Sequence, residues 1–336
     1  MNQRVFNARA PVRVDPAGGG TDAPPFCVEH GGAVVNVGIQ TYAFARVEVL
    51  ASGKTATIHS SDFGTEVVAA SVSELKIDGQ LDLLKGLAKR LNPPWGFVLR
   101  VESEVPPGSG LGSSGAVSVA VVAAFDAALG VARTKAEMAE LANRVERQDL
   151  GYAGGSQDSY GPALGGVNLL VYRKGGGTDP RRVQVAERTL LELERRAVLV
   201  YTGEAHLSGS IHGDIKRSYA LPDSPTVDAM KNLARIGRAC AEALEAGDLD
   251  AFGRLLNENR VHHYRLHESC DSQRLRRFYE AVEPDIIGGK TCGAGGGGCI
   301  LFLPKEGRRR AVEQRCRELG GELIPLRVDR QGVVTW

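Results

Sequence analysis

The stretch from Ser113 to Leu129, SSGAVSVAVVAAFDAAL, constrains the fold more than any other part of the chain. Its helical pattern is apolar on every face, so the helix has no side to give to water and belongs at the centre of the molecule. It is entered through VPPGSGLGSS (105–114). Gly108, Gly110 and Gly112 let the backbone approach an anion, and Ser113, Ser114 and Gly115 open a helix whose free N–H groups and dipole favour phosphate.

Glycines 110, 112 and 115 also fit G-x-G-x-x-G, but the dinucleotide reading fits poorly. The strand before them, FVLRVESEV, carries Arg100, Glu102 and Glu104 on one face and then two prolines. It reads as half-exposed and antiparallel, whereas a Rossmann strand is buried on both faces and feeds directly into its glycines. A Walker A loop is excluded because no lysine follows Gly112. Two further glycine clusters accompany the first, in RAPVRVDPAGGGTD (9–22) and GGKTCGAGGGGCILF (288–302). Three such loops are hard to explain as turns, since each glycine costs backbone entropy on folding.

At 336 residues the chain exceeds what one core usually supports, so two lobes are expected. Strand patterns run through 4–15, 32–39, 42–50, 55–61 and 96–105, with helical patterns at 81–91, 113–129 and 134–149. A loop at 175–180 precedes a strand in 196–206. Helices then follow at 226–247, 248–266 and 272–283, with the strand CILFLP, a helix at 306–319 and a last strand in GELIPLRV. The fold class is α+β, with lobes 1–185 and 186–336. The formal net charge of +1 gives no reason to expect nucleic acid or an anionic membrane as partner. Six scattered cysteines, the lack of an apolar leader in MNQRVFNARAPVRVD and the absence of an uninterrupted apolar span lead us to expect a cytoplasmic, reduced protein, either monomer or homodimer.

The three glycine segments in this order, with P-x-x-x-G-L-G-S-S from Pro106 to Ser114, resemble the GHMP kinases from about Ala8 to Leu303. Within that family, RVDPAGGGTDAPPF and GGKTCGAGGGGC are most similar to the heptose 7-phosphate kinase and bacterial fucokinase-like branch. The resemblance implies an N-terminal lobe like ribosomal protein S5 domain 2, a C-terminal α+β lobe, and a cleft between them that binds ATP, Mg2+ and a sugar or sugar phosphate.

It also implies roles for particular residues. Pro107, Gly108, Ser109, Gly110, Leu111, Gly112, Ser113 and Ser114 would cradle the triphosphate, and Ser114 and Glu146 would hold Mg2+. Asp158 would be the base, with Arg13 keeping it ionised. Gly19, Gly20, Thr21, Asp22 and Gly295 would join Asp158 in shaping the sugar pocket, with Gly293 to Gly298 packed on the phosphate loop. Taken alone, Glu146 reads as a solvated helix acid, Asp158 and Asp22 as cap or turn residues, Asp149 and Lys290 as solvated charges, and His262 and His263 as surface or cleft wall. A substrate phosphate could be met by Arg173, Lys174, His206, Lys216 or Arg217. A non-sugar alcohol as acceptor, and a catalytically silent sensor of sugar and ATP, stay open.

Overall fold

The computed structural model describes residues 4–205, 208–222 and 224–336. The first part of the chain comprises β1 (Arg4–Ala17), α1 (Phe26–His30), β2 (Gly32–Val49), β3 (Ala56–Ser60), β4 (Thr65–Ala69), α2 (Asp82–Leu91), β5 (Phe97–Ser103), α3 (Ser113–Leu129), α4 (Lys135–Arg144), α5 (Gln157–Leu164), β6 (Val167–Tyr172) and β7 (Thr178–Arg182). The second comprises α6 (Glu187–Arg196), β8 (Val198–Tyr201), α7 (Ser208–Tyr219), α8 (Pro225–Ala246), α9 (Leu249–Tyr264), α10 (Gln273–Val282), β9 (Ile286–Thr291), β10 (Cys299–Pro304), α11 (Arg309–Glu318), β11 (Glu322–Ile324) and β12 (Val334–Thr335).

The first sheet runs β12-β1-β2-β5-β3-β4, with the β6-β7 hairpin attached to the N-terminal half of β2. Pairing is antiparallel except between β3 and β5. The second sheet, β11-β8-β10-β9, is wholly antiparallel. α3 lies where its composition requires: from Gly115 to Ala128 every residue but Ala127 is buried, and it packs on β1 and β2. Gly112 and Gly130 bound it, both left-handed at φ +70. Near its C-terminus Phe125 sits edge-on to Phe97, ring centroids 5.1 Å apart, and stacks on Trp95.

Three sequence expectations are corrected here. Segments 32–39 and 42–50 form one strand, β2, because Gln40 between them donates its backbone N–H to the Arg327 carbonyl and the ladder continues. The last turn expected of the 134–149 helix is π-helical over Val145–Asp149. The GGGTDP loop gives way to β7 at Thr178, which pairs with Tyr172.

The principal core includes β1, β2 and α3 together with Ile236 and Leu244 of α8 and Leu301 of β10, so it is continuous across the chain's two parts. The division at 185/186 remains our proposal for the lobes, with one visible departure. Val334 and Thr335 return to pair with Arg9 and Ala8 of β1, in the first sheet. Among the described residues no helix is long and apolar enough to cross a membrane.

Candidate active site

The three glycine segments converge on one cleft between the two parts of the chain. Arg13, Gly20 and Asp22 line it from the first segment, Gly108, Gly110, Gly112, Ser113 and Ser114 from the second, and Gly293 and Gly295 from the third. A backbone bond joins the second and third, Cys299 donating its N–H to the Ser109 carbonyl at 2.8 Å, and within the third Cys292 donates to the Cys299 carbonyl. The glycine loop is left-handed at residues 108, 110 and 112, with φ of +78, +78 and +70. It delivers the chain to the start of α3, where the first N–H groups have no partner within the helix.

Gly115 explains how Asp158 reaches this loop. A Cβ at Gly115 would stand 1.9 Å from the Asp158 carbonyl oxygen, so only glycine lets the first turns of α3 and α5 meet. Asp158 then faces Arg13 of β1. Arg13 Nη2 and Nε donate to Asp158 Oδ1 at 2.6 and 3.1 Å, and Arg13 Nη1 donates to the Gly110 carbonyl at 2.6 Å. The arginine side chain is 3% exposed and the aspartate 24% exposed, so the pair is buried on one side and open to the cleft on the other. Burial pushes the Asp158 carboxyl up, but Arg13 and Arg147 outweigh it and hold the group below the ordinary carboxylate value. Burial also opposes the charge on Arg13, and Asp158 and Asp15 more than offset this.

Asp22 is buried and accepts from the backbone N–H groups of Gly20 and Gln157, both at 3.1 Å. Burial, with Asp158 nearby, pushes its carboxyl up to about 6. Gly20 and Gly295 line the cleft with it. Gly19 and Thr21 do not: Gly19 packs against the Asp15 carboxylate, and the Thr21 hydroxyl donates to the Gly18 carbonyl at 2.7 Å, bracing the turn. Leu111 and Ser109 are also buried, and Pro107 lines a neighbouring chamber instead.

Glu146 sits in the π-helical turn, buried and outside the cleft lining. Burial pushes its carboxyl up, only partly countered by Arg147 at 3.5 Å. Ser114 is exposed, bordering both the cleft and the neighbouring chamber. Among the described residues no cluster of three or more His, Cys, Asp or Glu side chains could hold a metal by itself. Asp149 is exposed and ion-paired with Arg90.

Sequence reasoning missed Asp15 and His212 here and misread Lys290, while His263 falls on the cleft-wall side of its reading. Lys290 is 1% exposed, with its ammonium 2.7 Å from Asp15 Oδ2 and donating to the Asp15 carbonyl at 2.8 Å. Asp15 Oδ1 accepts the Gly293 N–H at 2.8 Å, so this pair ties the first glycine segment to the third. His212 and the buried His263 also line the cleft, and burial holds both imidazoles neutral, down at about 4 and about 3. A count of charges along the chain gives no sign of these contacts, because the partners lie far apart in sequence. His206 lies outside the described residues.

A glycine loop at a helix N-terminus, facing an arginine-held carboxylate across a cleft, is the arrangement of a small-molecule kinase. Comparisons with known proteins agree. The family models GHMP kinases N terminal domain and GHMP kinases C terminal match residues 82–166 and 240–322, together half of the chain. The D-glycero-alpha-D-manno-heptose 7-phosphate kinase of Campylobacter jejuni is 29% identical over 99% of both chains. A mevalonate kinase of Pyrococcus horikoshii is 27% identical over 91% of this chain and 92% of its own. The crystal structure of a D-glycero-D-manno-heptose 1-phosphate kinase from Bacteroides thetaiotaomicron superposes with a TM-score of 0.83, at 27% identity over 98% of each chain. The chain belongs to the GHMP kinase family.

Proposed function

We propose that the protein transfers the γ-phosphoryl group of ATP, with Mg2+, to a hydroxyl of a sugar or sugar phosphate, the anomeric hydroxyl being the reacting one. The observation that carries this reading is the half-open Arg13–Asp158 pair at the glycine loop. Arg13 occupies only Oδ1 of the carboxylate. Oδ2 has no partner among the described residues, so it can take the proton of an acceptor hydroxyl.

The residues present suit the absent groups. Free N–H groups at the start of α3, a left-handed glycine loop and the buried, unpartnered Ser109 hydroxyl suit a triphosphate. A chamber of about 410 Å³ beside Ser113 and Ser114, walled by Leu81, Leu84, Val117 and Tyr152, suits a nucleoside. The Glu146 carboxylate accepts no hydrogen bond among the described residues and has only the Arg147 guanidinium, 3.5 Å away, to offset its buried charge, which favours a further cation. With the Ser114 hydroxyl it would make the two-ligand protein set that Mg2+ accepts beside phosphate oxygens and water. When bound, ATP and Mg2+ would supply the phosphoryl group and charge neutralisation on its oxygens.

The chain's own residues would do the rest. Arg13 fixes the orientation of Asp158 and keeps it ionised, and the Asp22 carboxylate accepts a second sugar hydroxyl, turning the acceptor toward Asp158. The neutral His212 and His263 close the wall without adding charge. The heptose kinases among the relatives support a sugar as acceptor.

The test is ATP consumption against hexoses, heptoses, heptose 7-phosphates, inositols, amino alcohols and mevalonate. Fastest turnover on a sugar or sugar phosphate is expected. Faster turnover on a non-sugar alcohol would overturn the acceptor class, and binding of ATP and sugar with no phosphorylated product would overturn catalysis.

A further inference from the structure

Two chambers open off different parts of the catalytic cleft. The nucleoside chamber, of about 410 Å³, shares Ser113 and Ser114 with it. A second, of about 250 Å³, shares Gly20, His212 and Ile215 with it. The cleft itself holds about 80 Å³, so much of the room for an acceptor lies in the second chamber. Among the described residues Tyr152 alone lines both chambers, and its ring is the partition between them.

The partition is a loosely held side chain on a pinned backbone. Tyr152 donates its N–H to the Glu146 carbonyl at 3.0 Å, and its own carbonyl accepts Arg147 Nη1 at 3.2 Å. The chain just beyond is held as well, by Arg147 Nη2 donating to the Gly155 carbonyl at 2.8 Å. The ring lacks such ties: it is 44% exposed, and its hydroxyl makes no hydrogen bond among the described residues. Its charged neighbours come from different parts of the site, Asp82 from the wall of the nucleoside chamber and Glu146 from the π-helical turn. Burial and these two carboxylates push the phenol up, so the ring meets either ligand as a neutral surface.

We propose that Tyr152 is a positioning residue shared by ATP and the acceptor: each packs against the ring from its own chamber, and whichever binds first fixes the ring for the other. The cost of ordering the side chain then falls once rather than twice, which couples the two sites without any larger movement of the chain. One such side chain supports a coupling of about three- to tenfold. Linkage requires ATP and acceptor to raise each other's affinity by the same factor. The coupling rests on the kinase reading but is not implied by it.

The experiment is calorimetric titration with AMP-PNP and Mg2+, alone and at saturating acceptor, and then the reverse titration. The acceptor is the panel member that is turned over fastest. Wild type should bind each ligand about three- to tenfold more tightly when the other is present. Tyr152→Ala should bring both factors to about 1, while Tyr152→Phe keeps them, because the ring and not the hydroxyl forms the partition. Both ties of residue 152 are backbone groups, so these substitutions leave the loop anchored. A merely structural contribution of the side chain would weaken binding of each ligand alone and leave the ratio intact. Independent binding in wild type, or an unchanged factor in Tyr152→Ala, would overturn the coupling and leave the kinase reading standing. A Tyr152→Phe variant as uncoupled as Tyr152→Ala would overturn the ring as its carrier. Turnover of no panel member would overturn the kinase reading and the coupling together.

Discussion

Two ion pairs leave the same strand of this protein, two residues apart, and they are built for opposite ends. Arg13 of β1 meets Asp158 of α5, and Asp15 of β1 meets Lys290 of β9. The second pair is closed to solvent: the side chains are 0% and 1% exposed, Asp15 Oδ1 accepts the Gly293 N–H, and Oδ2, which accepts no hydrogen bond, lies 2.7 Å from the Lys290 ammonium, whose donation goes to the Asp15 carbonyl. The first pair leaves a carboxylate 24% exposed with one oxygen unused. Closure makes a joint between glycine segments, and incompleteness makes a reactive group. Neither sequence position announces which it will be, since both are an acid and a base on or against an apolar strand.

Neutralising each pair should separate the two roles. Asp158→Asn keeps an oxygen for Arg13 but removes the proton acceptor, so kcat should fall by about 10²–10⁴ while ATP binding and melting temperature change little. Calorimetric titration with ATP beside a turnover assay measures both. Lys290→Met should do the reverse, leaving Asp15 as an uncompensated buried charge at about 3–5 kcal/mol of stability, read from denaturant midpoints. The double variant Asp15→Asn/Lys290→Met should recover much of that loss. If Asp158→Asn cost as much stability as Lys290→Met, the contrast between open and closed pairs would fail.

A smaller effect is expected at the contact the closed pair secures. Gly110 has φ +78, and a Cβ there would fall 2.6 Å from the Cys292 carbonyl oxygen. Gly110→Ala should therefore push the phosphate loop off the third glycine segment, with strain of about 1–3 kcal/mol appearing as a roughly 10- to 100-fold weaker ATP affinity. An unchanged affinity would mean that the loop position does not depend on that contact.

What was legible in the sequence was whatever is decided locally. α3 runs from Ser113 to Leu129 as expected, because an all-round apolar run flanked by glycines leaves no alternative. The glycine segments, Arg13, Asp22 and Asp158 could be named because their motif resembles a known family. α5 was not expected, since Gln157–Leu164 contains Pro162 and follows a glycine-rich loop, and its helical state depends on packing against α3 and β1. Lys290, His212 and Arg147 owe their roles to groups that the chain brings back from distant positions. Lys290 and Asp15 are 275 residues apart, and no periodicity encodes such a meeting.

The smallest effect concerns Asp22, which lies between the two kinds of pair: buried like Asp15, yet in the cleft like Asp158. Burial and the Asp158 charge move its carboxyl from 3.8 to about 6 in the folded protein. Between about pH 4 and pH 6 the folded state therefore holds a proton that the unfolded chain has released, so this residue makes folding less favourable as pH rises through that window. His212 and His263, lowered from 6.5 to about 4 and about 3, act with the opposite sign and make the whole protein less stable as pH falls below 6.5. The Asp22 contribution is isolated by the stability difference between wild type and Asp22→Asn, which should shift in favour of the variant from pH 4 to 6 and level off above. Acceptor binding should follow the same ionisation, because only the carboxylate form accepts without competing as a donor: the acceptor KM of wild type should drop roughly tenfold from pH 5 to 7, with a midpoint near 6. Asp158, held low by Arg13, adds no step in that range. A flat acceptor KM across pH 5–7 would place Asp22 with Asp15 as a structural acid, and the open class would then contain Asp158 alone of the three.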